Sequence, residues 1–258
     1  MTEYIIICIV AFVGSGLTLF SGFGLGTILV PVFAVFFPVD LAIVLTAVVH
    51  FLNNVFKLIL LGRKADRKVV FYFGIPSVIA AIAGAYVLSM ISSTEPIYEY
   101  TLSGKVFFIT PVKVIIAVLI FVFSVIDFVP GLKKLEIDKK YLPIGGLLSG
   151  FFGGLSGNQG ALRTMFLVRS NLSKESLIAT GVVLACLIDV SRLTVYSRQI
   201  VVHYQELNYS LIVCATVAAF AGAFFGSKLL KKVTIAFVQN MVGIMLLLFS
   251  ILLGAGII

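Results

Sequence analysis

Four polar residues sit on one otherwise apolar stretch, VDLAIVLTAVVHFLNNVFKL: His50, Asn53, Asn54 and Lys57. Their spacing of i, i+3, i+4 and i+7 predicts a single polar stripe on a helix. A second apolar stretch, GVVLACLIDVSRL, carries Asp189 and Arg192 at i, i+3, where they are neighbours on one helix face. A third group, in GLSGNQGALR, supplies Ser156, Gly157, Asn158 and Gln159, with Arg163 about one turn further on. Asn and Gln amides donate hydrogen bonds and arginine adds positive charge, so this group is suited to holding an oxyanion. The stretch LFSGFGLG offers Ser21, Gly22, Phe23 and Gly24, which bring backbone N–H groups and few polar side chains.

Of the 11 acidic residues only Asp189 falls well inside an apolar segment, whereas Lys57, Arg163 and Arg192 all do among the bases. Charge at membrane depth is costly enough to read as functional, and three cations against one carboxylate favour an anionic ligand. The expected binding set is Ser21, Gly22, Phe23, Gly24, Asn54, Ser156, Gly157, Asn158, Gln159 and Arg163. His50, Asn53, Lys57, Asp189 and Arg192 form the expected pathway or coupling set, with His50 the candidate proton carrier because imidazole titrates near neutrality. Structural readings stay open beside these: Lys57 and Arg192 can snorkel to opposite surfaces, Asp189 can simply neutralise Arg192, and Arg163 can pack at the base of a hairpin.

These residues need a membrane scaffold. The 258-residue chain is 60% hydrophobic and 12% charged, with a mean hydropathy of +1.17, and apolar runs able to cross a ~30 Å hydrocarbon core recur along its length. One membrane domain, 1–258, is expected, with the first segment a retained span because it lacks a basic leader and a small-residue cleavage site. The net charge of +8 lies in short clusters between apolar segments, the distribution of an orientation signal, so nucleic acid is excluded as a partner. Cys8, Cys186 and Cys214 lie in separate segments without metal-ligand or disulfide spacing, and no metal or cofactor is expected.

The pattern predicts helices at 4–20, 23–37, 40–61, 69–91, 111–130, 142–156, 159–170, 175–196, 207–229 and 234–257. The loops RKADRK, KKLEIDKK and KLLKK are basic and belong inside the cell, whereas 92–111 is acidic and belongs outside. Ten segments satisfy these assignments if both termini are periplasmic. Sliding the chain by 135 residues aligns 38–58 with 173–193, pairing Asn54 with Asp189 and Lys57 with Arg192; an offset of 138 aligns IAAIAGAYVLS with VAAFAGAFFGS. Repeats of about 1–132 and 140–258 each hold five segments, an odd number, so the second copy enters the membrane from the opposite side. The expected fold is therefore all-α, an inverted five-plus-five repeat of the kind found in many secondary transporters.

The 135 offset also superposes Ser21 and Gly22 on Ser156 and Gly157, so both halves are interrupted at one point. The flanking segments are short for full spans, and each pair reads as a broken or re-entrant helix pair. Irregular backbone at this depth must line a cavity or be buried in protein. A helix N-terminus there presents unpaired N–H groups and a positive dipole end to an anion. Helix packing is the competing explanation for Gly22/Gly26, Gly150/Gly154 and Gly153/Gly157, all small-xxx-small pairs. GFGLG is not GxGxxG and no βαβ pattern surrounds it, which excludes a dinucleotide site.

The run SGFGLGTILVPVFAVFFPVDLAIVLTAVVHFLNNVFKL, the following AAIAGAYV, and the later GFFGGLSGNQGALRTMFLV and GVVLACLIDVSRL resemble the TauE/SafE family of sulfite exporters over essentially the whole chain. The resemblance implies export of sulfite or a small organosulfonate across a bacterial inner membrane. A related thiosulfate-uptake group uses membrane cysteines, and neither glycine-rich break contains one. Export of each negative charge down an inside-negative potential gains ~2.3 kcal/mol per 100 mV, roughly a 50-fold gradient, so no coupling ion is required. Alternating access about the two breaks is the expected mechanism; an anion channel and a proton-coupled importer are the alternatives. The expected partners are a small inorganic or organosulfonate anion and the lipid bilayer, with a homo-oligomer left open. The two histidines, His50 and His203, lie in different segments, which argues against an enzyme.

Overall fold

The computed structural model describes residues 1–21, 24–128, 137–202, 208–229 and 235–258. Among these are ten α-helices: α1 (Thr2–Ser21), α2 (Leu25–Ala34), α3 (Val39–Leu61), α4 (Arg67–Ser92), α5 (Pro111–Phe128), α6 (Leu142–Ser156), α7 (Gly160–Leu167), α8 (Lys174–Val202), α9 (Tyr209–Leu229) and α10 (Ile235–Gly254). Each matches one expected segment to within a few residues, except that α8 runs on to Val202. The boundaries have local causes. Pro111 and Pro143 start α5 and α6, where a missing N–H costs nothing. The Asp66 carboxylate accepts from Val69 N at 2.9 Å and caps α4. Gly157, at φ +81°, ends α6 in a left-handed conformation that a side chain would strain.

The all-α expectation needs one correction. The acidic loop contains an antiparallel hairpin, β1 (Tyr98–Leu102) and β2 (Lys105–Ile109), paired Tyr98 to Ile109 through Leu102 to Lys105. Its turn, Ser103–Gly104, takes positive φ at both residues, the mirror-image geometry that matches strand twist. The hairpin rests on the chain's last turn: the Tyr100 hydroxyl donates to the Ala255 carbonyl at 2.6 Å, and Lys113 at the start of α5 joins the two, its Nζ donating to the carbonyls of Phe108 at 3.1 Å and Gly256 at 3.3 Å.

Among the described residues, four helices, α3, α4, α8 and α9, contain stretches long and apolar enough to cross a membrane. Their outer faces carry exposed apolar residues such as Ile79, Tyr86, Val213 and Val217, which suits lipid as the solvent. In the interior α3 packs on α8, and α2 packs on α3. Around them α4 packs on α6, α1 on α9 and α5 on α10. Backbone proximity decides the α4–α6 seam. A Cβ at Gly146, Gly150 or Gly154 would lie 2.2, 2.2 or 2.1 Å from the carbonyl oxygen of Phe73, Ser77 or Ala81. The α1–α9 seam is built alike, with a Cβ at Gly222 falling 1.9 Å from the Phe12 carbonyl oxygen. Gly84 and Gly222, aligned by the 138 offset, thus do the same job in different helices, since Gly84 would collide with the Phe151 carbonyl at 2.0 Å. For Gly150/Gly154, helix packing is the correct explanation.

The basic residues Arg63, Lys64, Arg67 and Lys68 lie at one end of the bundle, and Lys68 shares a cleft there with Lys139 and Lys140. The third expected basic cluster falls largely outside the described residues. Asp66 N donates to Thr180 Oγ1 at 2.9 Å, which places the start of α8 at this basic end. The far end of α8 leads to Asn208, whose Oδ1 accepts from the Tyr4 hydroxyl at 2.6 Å. The N-terminus there, and the C-terminus beneath the hairpin, therefore both lie opposite the end that carries Arg63, Lys64, Arg67 and Lys68.

Candidate functional site

Asp189 on α8 is fully buried and collects five hydrogen bonds. Arg192 donates to Oδ1 from Nε (3.0 Å) and Nη2 (2.8 Å), one helical turn away as its spacing predicts. Gln159 Nε2 donates to the same oxygen at 3.2 Å. Oδ2 receives His50 Nδ1 at 2.7 Å and Asn54 Nδ2 at 3.1 Å. A carboxylate offers about four lone-pair sites, so this one is saturated. It holds four side chains, from α3, α8 and the second break, in fixed orientation and has no capacity left for a ligand. The hydrogen positions that satisfy this network put a proton on His50 Nδ1 and let the Asn54 amide reach Nε2 at 3.3 Å.

The polar stripe of α3 exists as the spacing predicts, spanning about 100° of the helix face at 100° per residue. It looks at two neighbours. His50 and Asn54 face Asp189. Asn53 and Lys57 face α1 and α9: with its amide oriented to satisfy both sides, Asn53 donates to the Ala219 carbonyl at 3.3 Å and accepts from Lys57 Nζ at 3.1 Å, beside the Ser15 hydroxyl. Lys57 is 5% exposed, which excludes snorkelling, and no carboxylate pairs with it among the described residues. Arg192 is likewise wholly buried; its Nη1 also donates to the Gly153 carbonyl at 3.4 Å, and the Tyr196 hydroxyl donates to the Gly154 carbonyl. Arg163 is half-buried, and its Nη1 donates to Gln159 Oε1 at 3.3 Å. Since Asp189 cancels Arg192, Lys57 and Arg163 leave the interior with excess positive charge.

The two breaks approach one another beside this network. Gly22 and Phe23 lie outside the described residues, as does the side chain of Ser21, which ends α1. Gly24 precedes α2, and a Cβ there would fall 3.4 Å from His50 Nε2. At Gly26 it would fall 3.4 Å from the Gly157 carbonyl of the other break. Both following helices begin without a side-chain cap, although Gly24 to Thr27 and Gln159 to Gly160 are buried. An uncapped helix start leaves N–H groups seeking a partner. Ser156 Oγ is spent on the local backbone, donating to the Phe152 carbonyl at 3.0 Å and accepting from Asn158 N at 3.4 Å. Gln159 is committed to Asp189. Asn158, 9% exposed, makes no side-chain hydrogen bond among the described residues, and it lines a narrow cleft with Thr27, Gly160, Ala161, Ile120, Phe123 and Leu246. The first turns of α2 and α7 thus share one cavity.

Two contributors escaped the sequence reading. The Thr46 hydroxyl is buried without a partner, and its methyl lies 3.7 Å from where a Gly26 Cβ would be. It sits one turn before His50, so extending the stripe backwards by four residues would have found it. Thr27, the residue after Gly26, carries no signal apart from the break itself.

The family model described as "Sulfite exporter TauE/SafE" matches residues 6–253, nearly the whole chain. The chain belongs to this family. TauE/SafE proteins are membrane transporters of the sulfite exporter type, and both breaks and the Asp189 network lie within the matched span. No curated protein and no solved structure matches the chain significantly.

Proposed function

We propose that this TauE/SafE protein exports sulfite or a related small sulfur oxyanion or organosulfonate across the inner membrane, by alternating access around an anion site between the starts of α2 and α7. The observation that carries the reading is the pair of buried, uncapped helix starts facing one cleft, with the free amide of Asn158 between them. Excess interior positive charge from Lys57 and Arg163 supplies long-range attraction, and the backbone N–H groups supply short-range recognition. Gly157 lets the chain turn back sharply enough for α7 to start at this depth.

An inverted repeat is supported by the way the packing partners exchange. Replacing each helix by its counterpart five positions on turns the α1–α9 contact into α6–α4, and maps α3–α8 and α5–α10 onto themselves. The direct contact of the aligned residues Asn54 and Asp189 is what proximity to a twofold axis requires. Both termini then lie in the periplasm, with the basic loops inside. The cleft has room for about one water molecule, so α5 and α10 must part from it before an anion enters.

The test is sulfite efflux from proteoliposomes. Asn158→Ala should slow it at least tenfold, because a hydrogen bond to a charged group is worth about 1.5–3 kcal/mol; wild-type flux in this variant would sink the assignment. A second reading has one specific observation in its favour. His50 touches Asp189 at 2.7 Å and its Nε2 faces Gly24, so a protonated imidazole would add a donor at the anion site and couple proton movement to transport. Sulfite flux that leaves internal pH unchanged argues against it.

A further inference from the structure

The outer face of α4 carries a second cavity, unrelated to the central site. It is a groove of about 550 Å³ between α4 and α8, walled by Val70, Phe71, Ile75, Ile79, Val183 and Leu187, with Arg63 and Arg67 at its mouth. The walls are apolar and the mouth is cationic. Phe71, Ile75 and Ile79 are exposed, so the groove opens sideways toward lipid. Neither guanidinium has a hydrogen-bond or ion-pair partner among the described residues. The nearest acid in sequence, Asp66, is already committed to capping Val69 N.

Two features specify the occupant. From Arg67 to Ile79 is 12 residues of helix, about 18 Å at 1.5 Å per residue, which matches half of a ~30 Å hydrocarbon core. The groove therefore runs through one leaflet, from headgroup level to near the bilayer midplane. Arg67 and Lys68 also occupy the first turn of α4, where cations oppose the helix dipole and an anion is favoured. An uncompensated cation pair at a helix start, heading an apolar channel one acyl chain long, fits a single amphiphile. We infer that this groove binds an anionic phospholipid of the leaflet at the basic end, its phosphate held by Arg63 and Arg67 and one acyl chain laid along α4 against Val183 and Leu187. Basic pockets between spanning helices are a recognised setting for such headgroups. The inner wall is α8, two residues from Asp189, and α4 touches α8 closely here, since a Cβ at Gly74 would lie 3.1 Å from Leu187. Occupancy braces the helix that carries the central network.

The test is thermal unfolding of the purified full chain in neutral detergent during titration with phosphatidylglycerol, phosphatidylcholine or glycerol 3-phosphate. Ligand that binds only the folded state raises the midpoint as occupancy rises. The midpoint should climb by several degrees and saturate with phosphatidylglycerol, while phosphatidylcholine and the tail-less phosphate leave it in place. Arg63→Gln/Arg67→Gln, both exposed positions, should unfold normally in phosphatidylcholine and lose the climb. Val78→Phe, which fills the groove, should lose it with both arginines intact, while Lys139→Gln/Lys140→Gln should keep it. An equal climb with phosphatidylcholine, its retention in the double-arginine variant, or its equal loss in the double-lysine variant would each overturn the assignment in favour of diffuse attraction to a basic surface.

Discussion

The two glycine-rich breaks share a backbone device and differ in everything attached to it. At the second, SGNQGA, the side chains are divided between tasks: Ser156 closes the turn, Gln159 anchors the segment to Asp189, and Asn158 remains free at the cleft. At the first, LFSGFGLG, the described residues offer backbone and the Thr27 hydroxyl, and neighbours on α3 supply polarity through His50 and Thr46. One break is held by its own residues and the other is furnished by a helix packed against it. A site built this way can keep the same N–H geometry on both sides while only one side sets selectivity.

The sharpest way to break this contrast is to remove the anchor. Asp189→Ala leaves Arg192 buried without its counter-ion and frees Gln159 and His50. Losing one partner of a buried pair costs about 3–5 kcal/mol, so folded yield and melting temperature should collapse, whereas Thr27→Val at the first break should leave both nearly unchanged. Equal melting temperatures for the two variants would dissolve the asymmetry. Next comes Asn158→Ala, expected to melt like wild type and to lose at least tenfold in sulfite efflux. Gly157→Ala and Gly24→Ala form a matched pair. Alanine at Gly157 must adopt φ +81° and meets Arg192 Nη1 at 3.1 Å, a destabilisation of about 1–2 kcal/mol. Gly24 has φ −82°, and alanine there should be tolerated in thermal unfolding while hindering efflux by crowding His50. Thr46→Val has the smallest expected effect on stability, neutral or slightly favourable because the hydroxyl has no partner to lose; weaker sulfite binding by calorimetry would place Thr46 at the anion.

Most of this was legible because helical membrane segments obey covalent periodicity. The ten segments and the Asp189–Arg192 contact follow from spacing along single helices, and the pairing of the breaks from the 135-residue offset between the two halves. The hairpin was missed for the same reason: YEYTL alternates with a period of two, KVFFI is an apolar run of only four residues, and both carry too little apolar length for a search based on spans. The fate of the α3 stripe was also out of reach. Spacing places His50, Asn53, Asn54 and Lys57 on one face, but which neighbour each meets depends on α1, α8 and α9 arriving from distant sequence. Gln159 shows this most clearly. Its amide is as suited to an oxyanion as that of Asn158, and the choice between them is made by Asp189, 30 residues away.

The glycine seams have a consequence for how such a molecule can move. Where a Cβ would sit 1.9 to 2.2 Å from the opposing carbonyl oxygen, two helices are joined backbone to backbone with nothing soft between them to shear. Each seam takes one helix from the first half of the chain and one from the second. The two halves are therefore interlocked like folded hands, and neither can swing as a unit. In the alternating-access cycle proposed above, the rigid pieces would be the mixed pairs α4–α6 and α1–α9, so its mechanical parts would cut across the two halves of the chain.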